Sequence, residues 1–144
     1  MLVQQILKSK SSDQVVTVLP GTLVSEAAKI LADRKIGTVV ISADGKKANG
    51  ILSERDIVRE IANRGASCLT DTVDKYMTSK LITCARSESA DSVLQMMTEG
   101  RFRHMPVVED GVLVGLVTIG DVVKARLSEL AMEKNALEGM IMGH

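Results

Sequence analysis

Two stretches of the chain carry side chains suited to holding a sugar and an anion: Gly50-Ile51-Leu52-Ser53-Glu54-Arg55-Asp56 and Gly115-Leu116-Val117-Thr118-Ile119-Gly120-Asp121. In each, an apolar strand-like run ends at a hydroxyl residue and helical spacing begins. Ser53 and Thr118 are N-cap residues by type, and Asp56 and Asp121 fall in the first helical turn, where negative charge suits the helix dipole. Capping alone accounts for any single Ser/Thr-x-x-Asp. Two copies, each closing the same kind of hairpin, point further. A carboxylate at a helix start can accept hydrogen bonds from the vicinal hydroxyls of a ribose. The cap hydroxyl and the free N–H groups of the first turn can receive a phosphate. Ribose plus phosphate is a nucleotide.

A second cluster, Arg101-Phe102-Arg103-His104-Met105-Pro106, gathers three cations or potential cations within four residues. Pro106 lacks an N–H, which suggests an interrupted or edge strand position open to a ligand. Arg103 and His104 are adjacent, so in an extended segment one faces the cleft and the other the rim. The alternative is ordinary solvated charge. The equivalent stretch in the first half, Lys35-Ile36-Gly37-Thr38, lacks the Arg-His pair, so the two halves are chemically unequal. Arg55 and Arg59 add cations beside Asp56; they either reach phosphates or pair with Glu54, Glu60 or Asp56.

These residues need elements to position them, and the elements repeat. Val24, Ala27, Ala28 and Leu31 form a helical apolar stripe that returns 66 positions later as Ala90, Val93, Leu94 and Met97. Thr17 has its counterpart in Thr83 at the same offset, whereas the Ser53 and Thr118 motifs lie 65 apart. The lost residue falls in a turn, as indels do. Lead-in segments match loosely: Val3, Ile6 and Leu7 against Val73, Tyr76 and Met77. Each half reads as a lead-in turn of helix, a strand (15–19; 81–84) and a helix (23–34; 89–100). The helix caps are expected at Thr22 and at Ser87 or Glu88. A hairpin (38–42 with 49–52; 105–109 with 113–117) and a second helix (54–63; 119 to about 138) complete the unit. One such unit is too small to bury both faces of its sheet. The expected fold is therefore α/β (α+β), two β-α-β-β-α repeats packed sheet to sheet with pseudo-two-fold symmetry. Residues 1–70 form repeat one with its lead-in, 71–128 repeat two, and 129–144 a helical extension. Apolar residues Leu127, Leu130, Ala131, Leu137, Met140 and Ile141 suit the last helix to contact a second subunit, the alternative being a frayed tail.

Composition narrows the function classes. The chain of 144 residues is 45% hydrophobic with zero formal net charge, no Trp, one Tyr and one Phe. It lacks the aromatic platforms and basic field of a nucleic-acid binder. Cys68 and Cys84 form no C-x-x-C pair, and His104 and His144 are far apart, which disfavours a zinc site. No apolar run suits a membrane span and no signal peptide is recognisable, so a cytoplasmic location with free thiols is expected. There is no Walker A loop, dinucleotide-binding glycine motif or nucleophile elbow, so no enzymatic activity is expected.

The doubled Gly-apolar-apolar-Ser/Thr-x-x-Asp motif, with Arg103-His104-Met105-Pro106-Val107-Val108 in the second half, resembles the CBS domain family in its tandem form, the Bateman module. The resemblance spans Met1 to Ser128. It implies adenine-nucleotide binding between the repeats: AMP, ADP, ATP or the AMP half of NAD(H) as a regulatory ligand. It implies that Asp56 and Asp121 hold ribose hydroxyls, that Ser53 and Thr118 sit by the phosphates, and that Thr17 and Thr83 edge the adenine. Arg103 and His104 match the family's basic pair that meets phosphate. Ile36, Gly37, Thr38, Arg55, Arg101, Met105, Pro106, Ile119 and Gly120 complete the candidate nucleotide-binding set. A homodimer or higher homo-oligomer, acting on a separate regulated protein, is the expected assembly. Two other readings stay open: an interaction module with vestigial clefts, and a weak nucleotide hydrolase.

Overall fold

In a computed structural model, which describes residues 1–10 and 15–141, the repeat of the sequence is the repeat of the fold. Helix α1 (Val3–Ser9) leads into β1 (Thr17–Val18), α2 (Val24–Arg34), β2 (Thr38–Ile41), β3 (Gly50–Ser53) and α3 (Glu54–Arg64). Two 3-10 turns (Ala66–Thr70, Val73–Lys75) carry the chain to the second unit of α4 (Ala90–Gly100), β4 (His104–Glu109), β5 (Val112–Thr118) and α5 (Ile119–Ile141). The end of the expected extension, 142–144, lies outside the described residues.

The helical stripes face inward as their spacing requires. Val24, Ala27 and Leu31 of α2 are buried, and so are Ala90, Val93 and Met97 of α4 at the matching positions. Both helices end on a basic residue in the left-handed conformation, Lys35 (φ 54°) and Arg101 (φ 56°). Such values are uncommon outside glycine. Here they close the last helical turn and swing the chain directly into β2 or toward β4.

In the first unit β2 pairs parallel with β1 and antiparallel with β3. In the second, β4 and β5 pair antiparallel, but the expected strand 81–84 shrinks to a single bridge, Cys84 to Val107. Proline explains the difference. The Val40 N–H donates to the Val16 carbonyl (3.0 Å) and the Ser42 N–H to the Val18 carbonyl (2.9 Å). Pro106 stands where Val40 stands and has no N–H to offer the Ile82 carbonyl. Only the bonds around Cys84 form, from Val108 N–H to its carbonyl (2.9 Å) and from its own N–H to Pro106 (3.1 Å). Pro106 thus interrupts the pairing, but it is buried within β4 rather than at an open edge.

The lead-ins are exchanged between the units. Val3, Ile6 and Leu7 of α1 are buried in the second core, with Val93, Met97, Met105, Val107 and Val117. Val73 is buried in the first core, with Tyr76 and Met77 packed against it. Burial of each large aliphatic side chain is worth ~1.5–3 kcal/mol, so the exchange ties the units firmly together. The backbone clasps match as well. The Val24 N–H donates to the Asp71 carbonyl (2.9 Å) and the Ala90 N–H to the Met1 carbonyl (2.8 Å). These carbonyls, supplied from the opposite lead-in, satisfy first-turn N–H groups of α2 and α4. They displace the expected caps. The N-cap of α2 is Leu23, without a side-chain bond, and that of α4 is Ser89, whose Oγ accepts the Ser92 N–H. Gly50 and Gly115 make room for the crossing segments. A Cβ on Gly50 would lie 2.5 Å from Met77 Sδ and 3.1 Å from the Thr78 carbonyl oxygen. One on Gly115 would lie 2.8 Å from Leu7 Cδ2.

Candidate ligand-binding cleft

Each hairpin-to-helix corner is held by a reciprocal cap. Ser53 Oγ accepts the Asp56 N–H (3.2 Å), and Asp56 Oδ2 accepts the Ser53 N–H (2.9 Å). Thr118 Oγ1 accepts the Asp121 N–H (3.1 Å), and Asp121 Oδ2 accepts the Thr118 N–H (2.9 Å). Capping is thus real at both corners, and it pins both carboxylates at helix starts. The corners also correspond in their backbone bonds: the Glu54 N–H donates to the Gly37 carbonyl and the Ile119 N–H to the Arg103 carbonyl, each at 2.9 Å. Gly37 therefore matches Arg103, and Thr38 matches His104.

A cleft of about 530 Å³ lies between the two corners. Of the residues singled out from sequence, it brings together Gly37, Ser53, Arg55, Asp56, Arg101, Arg103, His104, Thr118 and Ile119. Arg103 and His104 both border it. His104 begins β4, so Arg103 precedes the extended run and strand alternation does not govern it. The remaining candidates do not line this cleft. Met105 is fully buried in the second core, and Pro106 is buried beside it. Thr38 is buried and its hydroxyl donates to the Leu52 carbonyl (3.0 Å). Ile36 packs against the first core. Thr17 and Thr83 are exposed on the first strand and beside the Cys84 bridge, and Gly120 is exposed on α5. Asp121 opens instead onto a second cavity of about 440 Å³, lined also by Ser9, Lys10, Lys124 and Ser128.

The cleft also takes in Ile51 and Phe102, which lie inside the two motifs without a role assigned to them, and Thr78, which carries no local signal. Thr78 arrives because the exchanged lead-in pairs with Ile51, through N–H to carbonyl bonds of 2.9 and 3.0 Å. Lys10, whose Nζ is 2.9 Å from Asp121 Oδ2, is also a partner that spacing could not indicate.

Charge in the cleft is uneven. Arg59 donates to Asp56 Oδ1 (2.6 Å) and lies 3.9 Å from Glu60. Among the described residues Arg55, Arg101 and Arg103 join no ion pair. Burial lowers the basicity of the His104 imidazole and Arg103 adds to this, against the opposing pull of Glu54, Asp121 and Asp56. Burial pushes the Asp121 carboxyl up, but the Thr118 N–H and the Lys10 ammonium outweigh it and hold the group below its ordinary value. Among the described residues no cluster of His, Cys, Asp and Glu could hold a metal ion, and no helix is long and apolar enough to cross a membrane.

The family model of the CBS domain matches residues 3–63 and again 73–128. The chain belongs to the CBS domain family. A curated CBS relative, the mitochondrial CBS domain-containing protein CBSX3 of Arabidopsis thaliana, is 36% identical over 124 residues. That match takes in 83% of this chain and 60% of CBSX3, so the chain spans less than two thirds of that relative. The CBS-domain protein ATU1752 of Agrobacterium tumefaciens is 43% identical, with a TM-score of 0.82 over 88% of this chain and 99% of its own. The CBS domain protein PAE2072 of Pyrobaculum aerophilum, solved in complex with AMP, is 28% identical, with a TM-score of 0.78 over 92% and 99% of the two chains.

Proposed function

We propose that this CBS pair is a regulatory module, not an enzyme, that binds an adenine nucleotide between its repeats and passes its occupancy to a partner protein. The observation that carries the reading is the convergence of Ser53 and Asp56 from one corner with Thr118, Arg103 and His104 of the other in one cleft. Its volume suits a ligand of nucleotide size. The AMP complex of the Pyrobaculum relative supports an adenosine ligand. In this reading Asp56 accepts the ribose hydroxyls once Arg59 swings aside. The phosphates lie toward Thr118, the first turn of α5 and the cations Arg101, Arg103 and His104. AMP, ADP, ATP and the AMP half of NAD(H) all offer these groups. The buried free thiols of Cys68 and Cys84 are in keeping with a reducing compartment such as the cytoplasm.

Isothermal titration of ligand-stripped protein with these nucleotides tests the reading. Sub-millimolar binding is expected, weakened at least about tenfold in Asp56→Ala, since charge-assisted hydrogen bonds to the ribose are lost. No binding by any of them would reject it.

One observation favours self-association as well. Leu127, Leu130, Leu137, Met140 and Ile141 of α5 are all exposed, the last two by 78% and 76%. We infer that this face joins two copies of the chain. Light scattering should give a mass that rises above the monomer with concentration, and a monomer at every concentration would refute it.

A further inference from the structure

Lys10 caps the C-terminus of α1 and so belongs to the first lead-in, yet its ammonium lies in repeat two. Its Nζ is 2.9 Å from Asp121 Oδ2 and donates to the Leu116 carbonyl, also at 2.9 Å. The two side chains are 25% and 24% exposed, so solvent and salt screen the pair less than they would a surface contact. The Asp56 corner differs in kind. Its cation, Arg59, comes from the same helix and is 58% exposed against 15% for Asp56, so this i, i+3 pair is open to solvent on the arginine side and parts by rotation of that one side chain. Removing Lys10 from Asp121 instead breaks two charge-assisted hydrogen bonds of a half-buried ammonium anchored on a different element. The cavities agree with this contrast. Asp56 lines the large cleft, whereas Asp121 lines a separate cavity that Lys10 itself walls.

We propose that Lys10 is a built-in counter-ion that closes the Asp121 corner, so that the chain takes one nucleotide, at the Asp56 corner, and not two. This rests on the nucleotide reading above. A ribose arriving at Asp121 must displace the ammonium from Oδ2, a competitor that is covalently tethered and always present. Lys10 also lies at the end of the helix that clasps repeat two, so any ligand that did enter the second corner would loosen that clasp. The asymmetry between the repeats is thereby set by a residue outside both Ser/Thr-x-x-Asp motifs.

Calorimetric titration of the whole, ligand-stripped protein with AMP, ADP and ATP decides the matter. The expected stoichiometry is one nucleotide per chain for the unmodified protein and for Lys10→Arg, and two for Lys10→Met. Lys10→Gln keeps a donor for the Leu116 carbonyl and should also give two, which covers the case in which the methionine variant fails to fold. Two equivalents in the unmodified protein, or one in Lys10→Met and Lys10→Gln alike, would overturn the role of Lys10 alone. Silence toward every nucleotide in all four proteins would instead overturn the nucleotide reading, and the role of Lys10 with it.

Discussion

Gly37 and His104 face each other across the two repeats: the imidazole Nε2 lies 3.5 Å from the point a Cβ on residue 37 would occupy. Both residues line the cleft. The backbone of Gly37 is not in the left-handed region, so a side chain there meets the cleft rather than conformational strain. Gly37→Leu should fold normally and lower nucleotide affinity about tenfold, ~1.4 kcal/mol. Calorimetry paired with thermal denaturation checks this; unchanged affinity would mean that the ligand avoids the inter-repeat contact.

His104 gives the cleft a pH dependence of definite sign. Burial, then Arg103, lowers its basicity, while Glu54, Asp121 and Asp56 act the other way. Between that lowered value and the ordinary imidazole value of about 6.5, the unfolded chain holds the extra proton. The contribution of this group to stability is therefore complete above about 6.5 and lost as pH falls through the lowered value. A bound phosphate reverses the preference, because it favours the imidazolium. Nucleotide affinity should rise from about pH 8 to about pH 6 with proton uptake on binding, and His104→Gln should remove most of that rise. The same pH profile in both proteins would place the phosphate away from His104.

Arg101 and Arg103 should separate tri- from monophosphate. Each charge-assisted contact is worth ~1.5–3 kcal/mol. Replacing either by Ala should weaken ATP by about tenfold or more and AMP by less. Competition titration reads the ratio; equal losses for both nucleotides would show that neither guanidinium reaches beyond the first phosphate.

Gly50 and Gly115 are sites of close approach, so Gly50→Ala and Gly115→Ala should each destabilise by ~1–3 kcal/mol through forced repacking of Met77 or Leu7. Gly120 is the contrasting case. A Cβ there meets only Thr118 Oγ1 at 3.6 Å, and Ala in place of Gly within α5 should be neutral or stabilising by up to ~1 kcal/mol. Urea unfolding of the three variants reads the difference, and a neutral Gly50→Ala or Gly115→Ala would mean that the lead-ins yield freely.

The sequence made the repeated elements plain because their signals are local. Stripe spacing located α2 and α4, and the turn dipeptides Asp44-Gly45 and Asp110-Gly111 located the hairpins, since periodicity and backbone preference act over a few residues. The convergence of Ser53, Asp56, Thr118 and the Arg101 to His104 cluster on one cleft followed from the duplication. Local signals do not say which of two similar partners a segment meets. Leu7 and Met77 would suit either core, and the exchange became visible only in three dimensions. For the same reason Asp56 and Asp121 read as equals, although Lys10 distinguishes them. Thr38 and His104 share a register position, but one is sealed against Leu52 while the other borders the cleft. The short strand at 81–84 failed to form for a reason written elsewhere in the chain, at Pro106.

The crossed lead-ins also constrain how the chain matures on the ribosome. Lys10 bonds a carbonyl 106 residues downstream, and the apolar side chains of α1 find their seat only after β5 has been made. Helix α1 is made before any of its partners and is thus among the last elements to be sheltered, so vectorial completion of one half before the other is denied to this topology.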